Sequence, residues 1–164
     1  MCAGCDGTAP LIRSLVASGA YVNSRDRRFG RTALMWAISQ KHVRVTNVRA
    51  LIACRADVHA VDRWRRTALW WAAWWGHSSI VRLLIWHCAD VNVTSIYGET
   101  ALIAAAKRGN VAIVQVLLEN GARTDDADDW GRTALDWAEK RENKAAAAVL
   151  KEWIVTGSQN CGQP

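Results

Sequence analysis

The sequence predicts an all-helical repeat solenoid, and three observations carry that prediction. The chain writes nearly the same phrase four times: GRTALMWAI at 30–38, RRTALWWAA at 65–73, GETALIAAA at 98–106 and GRTALDWAE at 131–139. The Thr residues of these phrases stand at 32, 67, 100 and 133, a period near 33 that marks stacked units, each touching only its neighbours. Within one period the pattern reads helix, turn, helix, loop. Finally, 164 residues that are 51% hydrophobic, with no apolar run of 18, suit four to five such units and exclude a conventional membrane span.

The elements follow in order. An incomplete unit opens the chain, because LIRSLVASGAYVN at 11–23 aligns with IVRLLIWHCADVN at 80–92. Its first helix is otherwise missing, so Leu11, Ile12, Leu15 and Val16 are expected to lack a cover on one side, unless residues 1–6 cap them. Four full units follow, here called units one to four. In unit two, Thr67 is the N-cap candidate of a helix over 67–75, and Gly76 ends it as a residue able to take positive φ. A second helix over 79–87 places Ile80, Val81, Leu84 and Ile85 at helical spacing. Leu69, Ala72, Leu84, Leu102 and Leu117 are expected core residues. Unit four ends in KAAAAVLKEW amid Asp136, Glu139, Lys140, Arg141 and Glu142, a polar load that fits a terminal capping repeat. The single array is expected over 1–155, with units at about 1–25, 26–60, 61–93, 94–126 and 127–155, and TGSQNCGQP at 156–164 reads as a disordered tail.

The spaced pattern T-A-L-x-x-A, with G-H at 76–77, I-V-R-L-L at 80–84 and A-D-V-N at 89–92, resembles the ankyrin repeat family over residues 7–153. The resemblance implies paired antiparallel helices, a hairpin loop projecting at about a right angle, and a groove lined by the first helices. Departures are concentrated. The Pro usual in the family's first helix is Ala33, Ala68, Ala101 and Ala134. The usual His is Met35, Trp70, Ile103 and Asp136. Arg65 stands where Gly30, Gly98 and Gly131 keep the turn, and Arg55 and Cys88 stand where Gly19 and Gly121 follow the second helix. Each non-Gly residue held at positive φ costs on the order of 1 kcal/mol. A two-residue insertion within VRVTNV is expected to bulge the second helix of unit one, leaving 55–65 as the weak stretch.

Ten Trp are present, six of them between 64 and 86. Trp36, Trp71 and Trp137 share one register and read as packing between repeats. Trp86 and Trp153, near the ends of second helices, read as half-exposed. Trp70, Trp74 and Trp75 take the His position and the end of the first helix. The residues aligned with the last two are polar: Ser39 and Gln40, Lys107 and Arg108, Lys140 and Arg141. Two adjacent Trp there cannot both face a core, so they are candidate anchors for a partner. The residue before the turn is Phe29, Trp64, Tyr97 or Trp130, a ring on every loop tip, about 10 Å apart if units stack like packed helices. Arg28, Arg31, Arg63 and Arg66 flank the first two rings. Either each ring covers its neighbour's loop, or Arg and aromatic residues together form a recognition strip.

Net charge is +6. Residues 1–66 hold twelve Lys/Arg against four Asp/Glu, and 67–164 hold nine against eleven. The first half therefore favours acidic partners. Five Cys at irregular spacings fit free thiols in a reducing compartment and an intracellular, cytoplasmic or nuclear location. Cys2 and Cys5 have no further ligands nearby for a metal site. His42, His59, His77 and His87 are scattered, and His77 is expected to bond backbone. Asp125, Asp126, Asp128 and Asp129 read as a solvated acidic finger lacking the Gly and Glu of a calcium loop. No catalytic constellation or phosphate-cradling loop is present. The expected function is a non-catalytic protein-binding module without cofactor or metal, monomeric or weakly self-associating through exposed Trp. Its expected contacts are Arg28, Phe29, Arg31, Arg63, Trp64, Arg66, Trp70, Trp74, Trp75, Tyr97, Arg108 and Trp130. Nucleic-acid binding by the Arg and aromatic strip, or a structural role within a larger scaffold, are the alternatives.

Overall fold

The computed structural model describes residues 8–40 and 43–160. Its nine helices among the described residues are α1 (Thr8–Ala17), α2 (Ala33–Ile38), α3 (Val45–Ala53), α4 (Ala68–Trp75), α5 (Ser78–Trp86), α6 (Ala101–Arg108), α7 (Val111–Glu119), α8 (Ala134–Lys140) and α9 (Lys144–Asn160). The first helices α2, α4, α6 and α8 pack in one row, and the second helices α1, α3, α5, α7 and α9 in another. The architecture is an all-α repeat solenoid. Among the described residues the only β feature is an isolated antiparallel bridge between Val61 and Thr67 at the base of one loop.

Local chemistry sets each boundary. Thr32, Thr67, Thr100 and Thr133 are N-caps in extended conformation, and each side chain accepts the backbone N–H three residues on. At Thr133 the Asp136 carboxylate accepts in return from the cap's own N–H, completing a capping box. α4 and α6 end at Gly76 and Gly109 in the left-handed region. Leu34, Leu69, Leu102, Ile80, Leu84, Ile113, Leu117 and Leu150 are among the fully buried side chains of one continuous core. Deleting any one to Ala removes about 2–5 kcal/mol.

Polar clasps join the units. The side chains of His77, Asn110 and Asn143 reach back to carbonyls ending the previous first helix: Gln40 at 3.1 Å, Ala73 at 2.9 Å and Ala106 at 2.8 Å. Gly76 and Gly109 must stay bare for this, since a Cβ on either would lie 3.0 or 2.8 Å from the clasping Asn. The loops bond by backbone as well. The amides of Arg63, Ile96 and Asp129 donate to the carbonyls of Phe29, Trp64 and Tyr97 in the loop before.

Several expectations need correction. The insertion in unit one does not bulge α3, which is a regular helix of nine residues like α5 and α7. The extra residues fall between α2, which at six residues is two shorter than α4 and α6, and α3. Residues 156–160 continue α9, because the Ala-rich start propagates helix and the Thr156 hydroxyl donates back to the carbonyls of Glu152 and Trp153. Trp86 is fully outside at 77% exposure. Leu11 and Leu15 are exposed and Ile12 and Val16 half-buried. Arg55, Arg65 and Cys88 do sit at positive φ, at 64°, 58° and 61°. Cys2, Cys5, His42 and Cys161 lie outside the described residues.

A candidate binding groove

Each loop is organised by one polar side chain. Asp26, Asp62, Ser95 and Asp128 accept from backbone amides two to five residues ahead, closing the turn below the ring residue. The three carboxylates do a second job. Asp26 Oδ2 accepts from Trp36 Nε1 at 3.0 Å, Asp62 Oδ2 from Trp71 Nε1 at 3.2 Å and Asp128 Oδ2 from Trp137 Nε1 at 2.6 Å. Loop and first helix are thereby latched in units one, two and four. Unit three has Ser95 and Ala104 at these positions, so acceptor and indole are absent together.

A cation from the preceding unit then covers the latched indole. The Arg31 guanidinium lies 4.0 Å from the Trp71 ring centroid, and the Lys107 ammonium 3.7 Å from that of Trp137. Both indoles are buried. Trp36 is 38% exposed, contrary to its expected packing role, because its partners Asp26, Phe29 and Arg31 come from its own unit. Arg66 also packs on Trp71, at 4.3 Å, and its Nη2 pairs with the buried Asp62 at 2.9 Å. Arg31 Nε stands 4.0 Å from the same carboxylate. Burial and the neighbouring Arg66 hold the Arg31 pKa below its ordinary value, against the pull of Asp62 and Asp26. For Asp128 burial pushes upward, but the Arg132 amide, the Trp137 indole, the Trp130 amide and the Lys107 charge together hold the carboxyl low.

These latches leave a groove of about 390 Å³ across units two to four. Arg66, Trp70, Trp71 and Trp74 line it from unit two, Tyr97, Glu99 and Lys107 from unit three, Trp130 and Arg141 from unit four. Unit three carries the fully buried Ala104 where the flanking units carry the indoles Trp71 and Trp137. Trp70 lies in the floor at 4% exposure, stacked on half-buried Trp74 with centroids 5.4 Å apart and planes 9° apart. Its Nε1–H is buried without an acceptor. Trp75, the next residue of α4, is 38% exposed and is not part of that lining. Arg108 stands 5.2 Å from the Trp74 ring centroid, and Lys107 pairs with Glu99.

The expected contact residues therefore separate. Trp74, Tyr97 and Trp130 line the groove, Arg108 stands against Trp74, and Trp75 is exposed outside the lining. Trp70 is floor rather than surface, in keeping with the buried Met35 and Ile103 at its aligned positions. Arg31 and Arg66 are committed to Asp62 and its indole. Arg28 packs on Phe29, and Arg63 donates to the Arg27 carbonyl. The loop rings stand closer than stacked helices would put them, as two couples: Phe29 with Trp64 at 5.8 Å and Tyr97 with Trp130 at 6.3 Å. Nor is the acidic finger merely solvated, since Asp128 is buried and Arg123 pairs with Asp125 and Asp126. Sequence reasoning missed the Asp–Trp latch and Arg141. No group of three or more His, Cys, Asp or Glu among the described residues is placed to hold a metal.

A family model of three consecutive ankyrin repeats matches residues 1–95 and again 76–159. The chain belongs to the ankyrin repeat family. It is 35% identical over 83 residues to chicken (Gallus gallus) inversin, covering 51% of this chain and 7% of that protein. Mouse (Mus musculus) inversin is 34% identical over 83 residues, 51% of this chain and 8% of that protein. Human ankyrin repeat domain-containing protein 63 is 36% identical over 77 residues, 47% of this chain and 20% of that protein. The chain thus spans at most a fifth of these curated relatives. Ankyrin repeats are in general protein–protein interaction modules, and the family is in general non-catalytic. No helix among the described residues is long and apolar enough to cross a membrane.

Proposed function

We propose that this array is a non-catalytic protein-binding module whose partner lies in the groove across units two to four, with the loop rings Tyr97 and Trp130 and the exposed Trp75, which follows Trp74 in α4, as anchors. The observation that carries the reading is the groove itself, in which three successive units converge large aromatic rings and cations on one depression. The rings supply apolar contact area and the cations orient the occupant. Neither role needs a nucleophile, a metal or a cofactor. A cytoplasmic or nuclear setting is consistent with Cys54 and Cys88, which are free thiols, and Cys88 is exposed.

Co-purification tests the reading. Tagged wild type and a Trp74→Ala/Trp75→Ala variant are compared in extracts of the source cell, with melting curves as the control for folding. The expected result is one or a few proteins held by the wild type and lost from the folded variant. The same proteins on both baits would remove the groove from consideration. Nucleic acid as the retained species, released steeply between low and moderate salt, would favour the polyanion alternative.

A further inference from the structure

We infer that the occupant of this groove is an acidic peptide segment of a partner protein, its carboxylates meeting Arg108 and Arg141 and an adjacent apolar side chain lying against Trp74 and Trp75. This rests on the protein-binding reading and goes further by naming the chemistry recognised. The first argument is charge. Arg66, Lys107 and Arg141 line the groove against one acid, Glu99. Asp62 answers Arg66, and Glu99 answers Lys107. Arg141 in the wall and Arg108 at the rim are both exposed, and neither enters a salt bridge among the described residues. The lining therefore holds more cation than its own acid neutralises. An anionic group placed between two guanidiniums gains charge-assisted hydrogen bonds that a neutral amide does not.

The second argument is the floor. Trp70 is 4% exposed with its Nε1–H buried out of an occupant's reach, so the floor presents ring surface rather than a hydrogen-bonding group. An apolar side chain next to the acidic one suits that floor. The third argument selects a peptide over a nucleic acid. Stacking bases need free ring faces. Here Trp74 stacks on Trp70 and carries Arg108, and Tyr97 stacks on Trp130, so the flat faces are largely spent on one another. What remains are ring edges and the exposed flank of Trp75, which fit aliphatic or aromatic side chains. The exposed Asp125 and Asp129, at the junction of units three and four, would also repel a phosphate chain running along the loops.

A display library of random twelve-residue peptides tests the proposal without presupposing a partner. The library is panned on the intact chain, on Arg108→Glu/Arg141→Glu and on Trp74→Ala/Trp75→Ala. Circular dichroism melting confirms that each variant folds, and Arg108→Gln/Arg141→Gln stands in if charge reversal disturbs folding. Peptides held by the wild type and lost from the Arg variant are expected to be enriched several-fold in Asp and Glu over the starting library. Changing one such Glu to Gln in a synthetic copy should weaken binding about tenfold. Binders that need Trp74 and Trp75 but show no acidic enrichment, or that ignore the Arg substitutions, overturn the acidic assignment and leave the protein-binding reading standing. Selection of no groove-dependent peptide overturns the inference outright. Tighter groove-dependent binding of a twenty-residue oligothymidylate than of every selected peptide overturns it together with the reading beneath it.

Discussion

Asp62 is the most heavily used acceptor in the array, and its removal gives a graded prediction. Its carboxylate takes the backbone amides of Trp64 at 2.9 Å and Arg66 at 3.0 Å, Arg66 Nε at 3.0 Å and Nη2 at 2.9 Å, and Trp71 Nε1 at 3.2 Å. It is 3% exposed. Asp62→Ala leaves those donors facing a void and two guanidiniums without their counter-charge. Breaking a buried pair of this kind costs about 3–5 kcal/mol. For a chain of this length each kcal/mol is about 2–4 °C, so the melting temperature should fall by about 6–20 °C. Asp128→Ala is the internal reference. It loses the same kind of turn amides, from Trp130 and Arg132 at 3.0 Å each, and the Trp137 indole at 2.6 Å, but no arginine pair, for about 2–3 kcal/mol. Asp62→Asn should fall between wild type and Asp62→Ala, since it keeps an acceptor oxygen and loses the charge. Thermal melts by circular dichroism rank the three. Amide exchange should place the Asp62→Ala damage in units one to three, because a solenoid passes energy to nearest neighbours. Asp62→Ala no worse than Asp128→Ala, or Asp62→Asn as stable as wild type, would show that the arginine network contributes nothing.

Arg65→Gly should raise stability by up to about 1 kcal/mol, because Arg65 is held at φ 58° where the aligned turns use Gly; an unchanged melt would show that the loop is unstrained. Trp70→Ala should cost about 3–5 kcal/mol as a floor residue, while Trp75→Ala at an exposed position should unfold within about 1 kcal/mol of wild type, and urea unfolding separates the two. The pH dependence follows from Asp26, Asp128 and Asp136, whose folded pKa values all lie below the ordinary 3.8. A depressed carboxylate stabilises the fold above its unfolded value and loses that contribution as pH falls through the folded value. Melting temperature should therefore stay nearly flat between pH 5 and 7 and drop below about pH 4, less steeply in Asp128→Asn.

The repeat period made the fold legible, and the Thr caps and Gly stops, local signals read within one turn of helix, marked its element boundaries. The positive φ at Arg55, Arg65 and Cys88 was legible for the same reason, as a conformation fixed by register. The groove was legible only in part, through the polar residues aligned with Trp74 and Trp75. Its floor was not, because the family resemblance gives Trp70's position to a His, whereas the apolar Met35 and Ile103 aligned with it are buried. The Asp–Trp latch spans nine or ten residues and joins a loop to a helix, beyond any single-element pattern. A signal for it did exist. Asp26, Asp62 and Asp128 occur with Trp36, Trp71 and Trp137, and Ser95 with Ala104, so one column predicts the other. Loop spacing failed because helix stacking distances say little about rings that lean across the gap between loops.

That paired absence in unit three has a consequence that can be built into the chain. If the groove exists because unit three lacks the latch, restoring the latch should close it. Ser95→Asp/Ala104→Trp gives unit three the pair found in the other three units. The introduced indole would meet the new carboxylate as Trp71 meets Asp62, and Arg66 of the preceding unit stands where Arg31 covers Trp71. Ala104 is fully buried, so Trp alone at this site overpacks the array and should cost about 1–3 kcal/mol. The double variant recovers about 1–2 kcal/mol of that through the indole–carboxylate bond, a coupling that a double-mutant cycle on the melting transitions measures directly. It leaves Trp75, Arg108 and Arg141 in place, yet it should abolish capture of any partner seated between Trp71 and Trp130. A folded double variant that still holds its partner would place the binding surface outside the groove. Additive melting shifts, with no coupling between the two substitutions, would show that positions 95 and 104 are not the equivalent of Asp62 and Trp71, and the groove would need another cause.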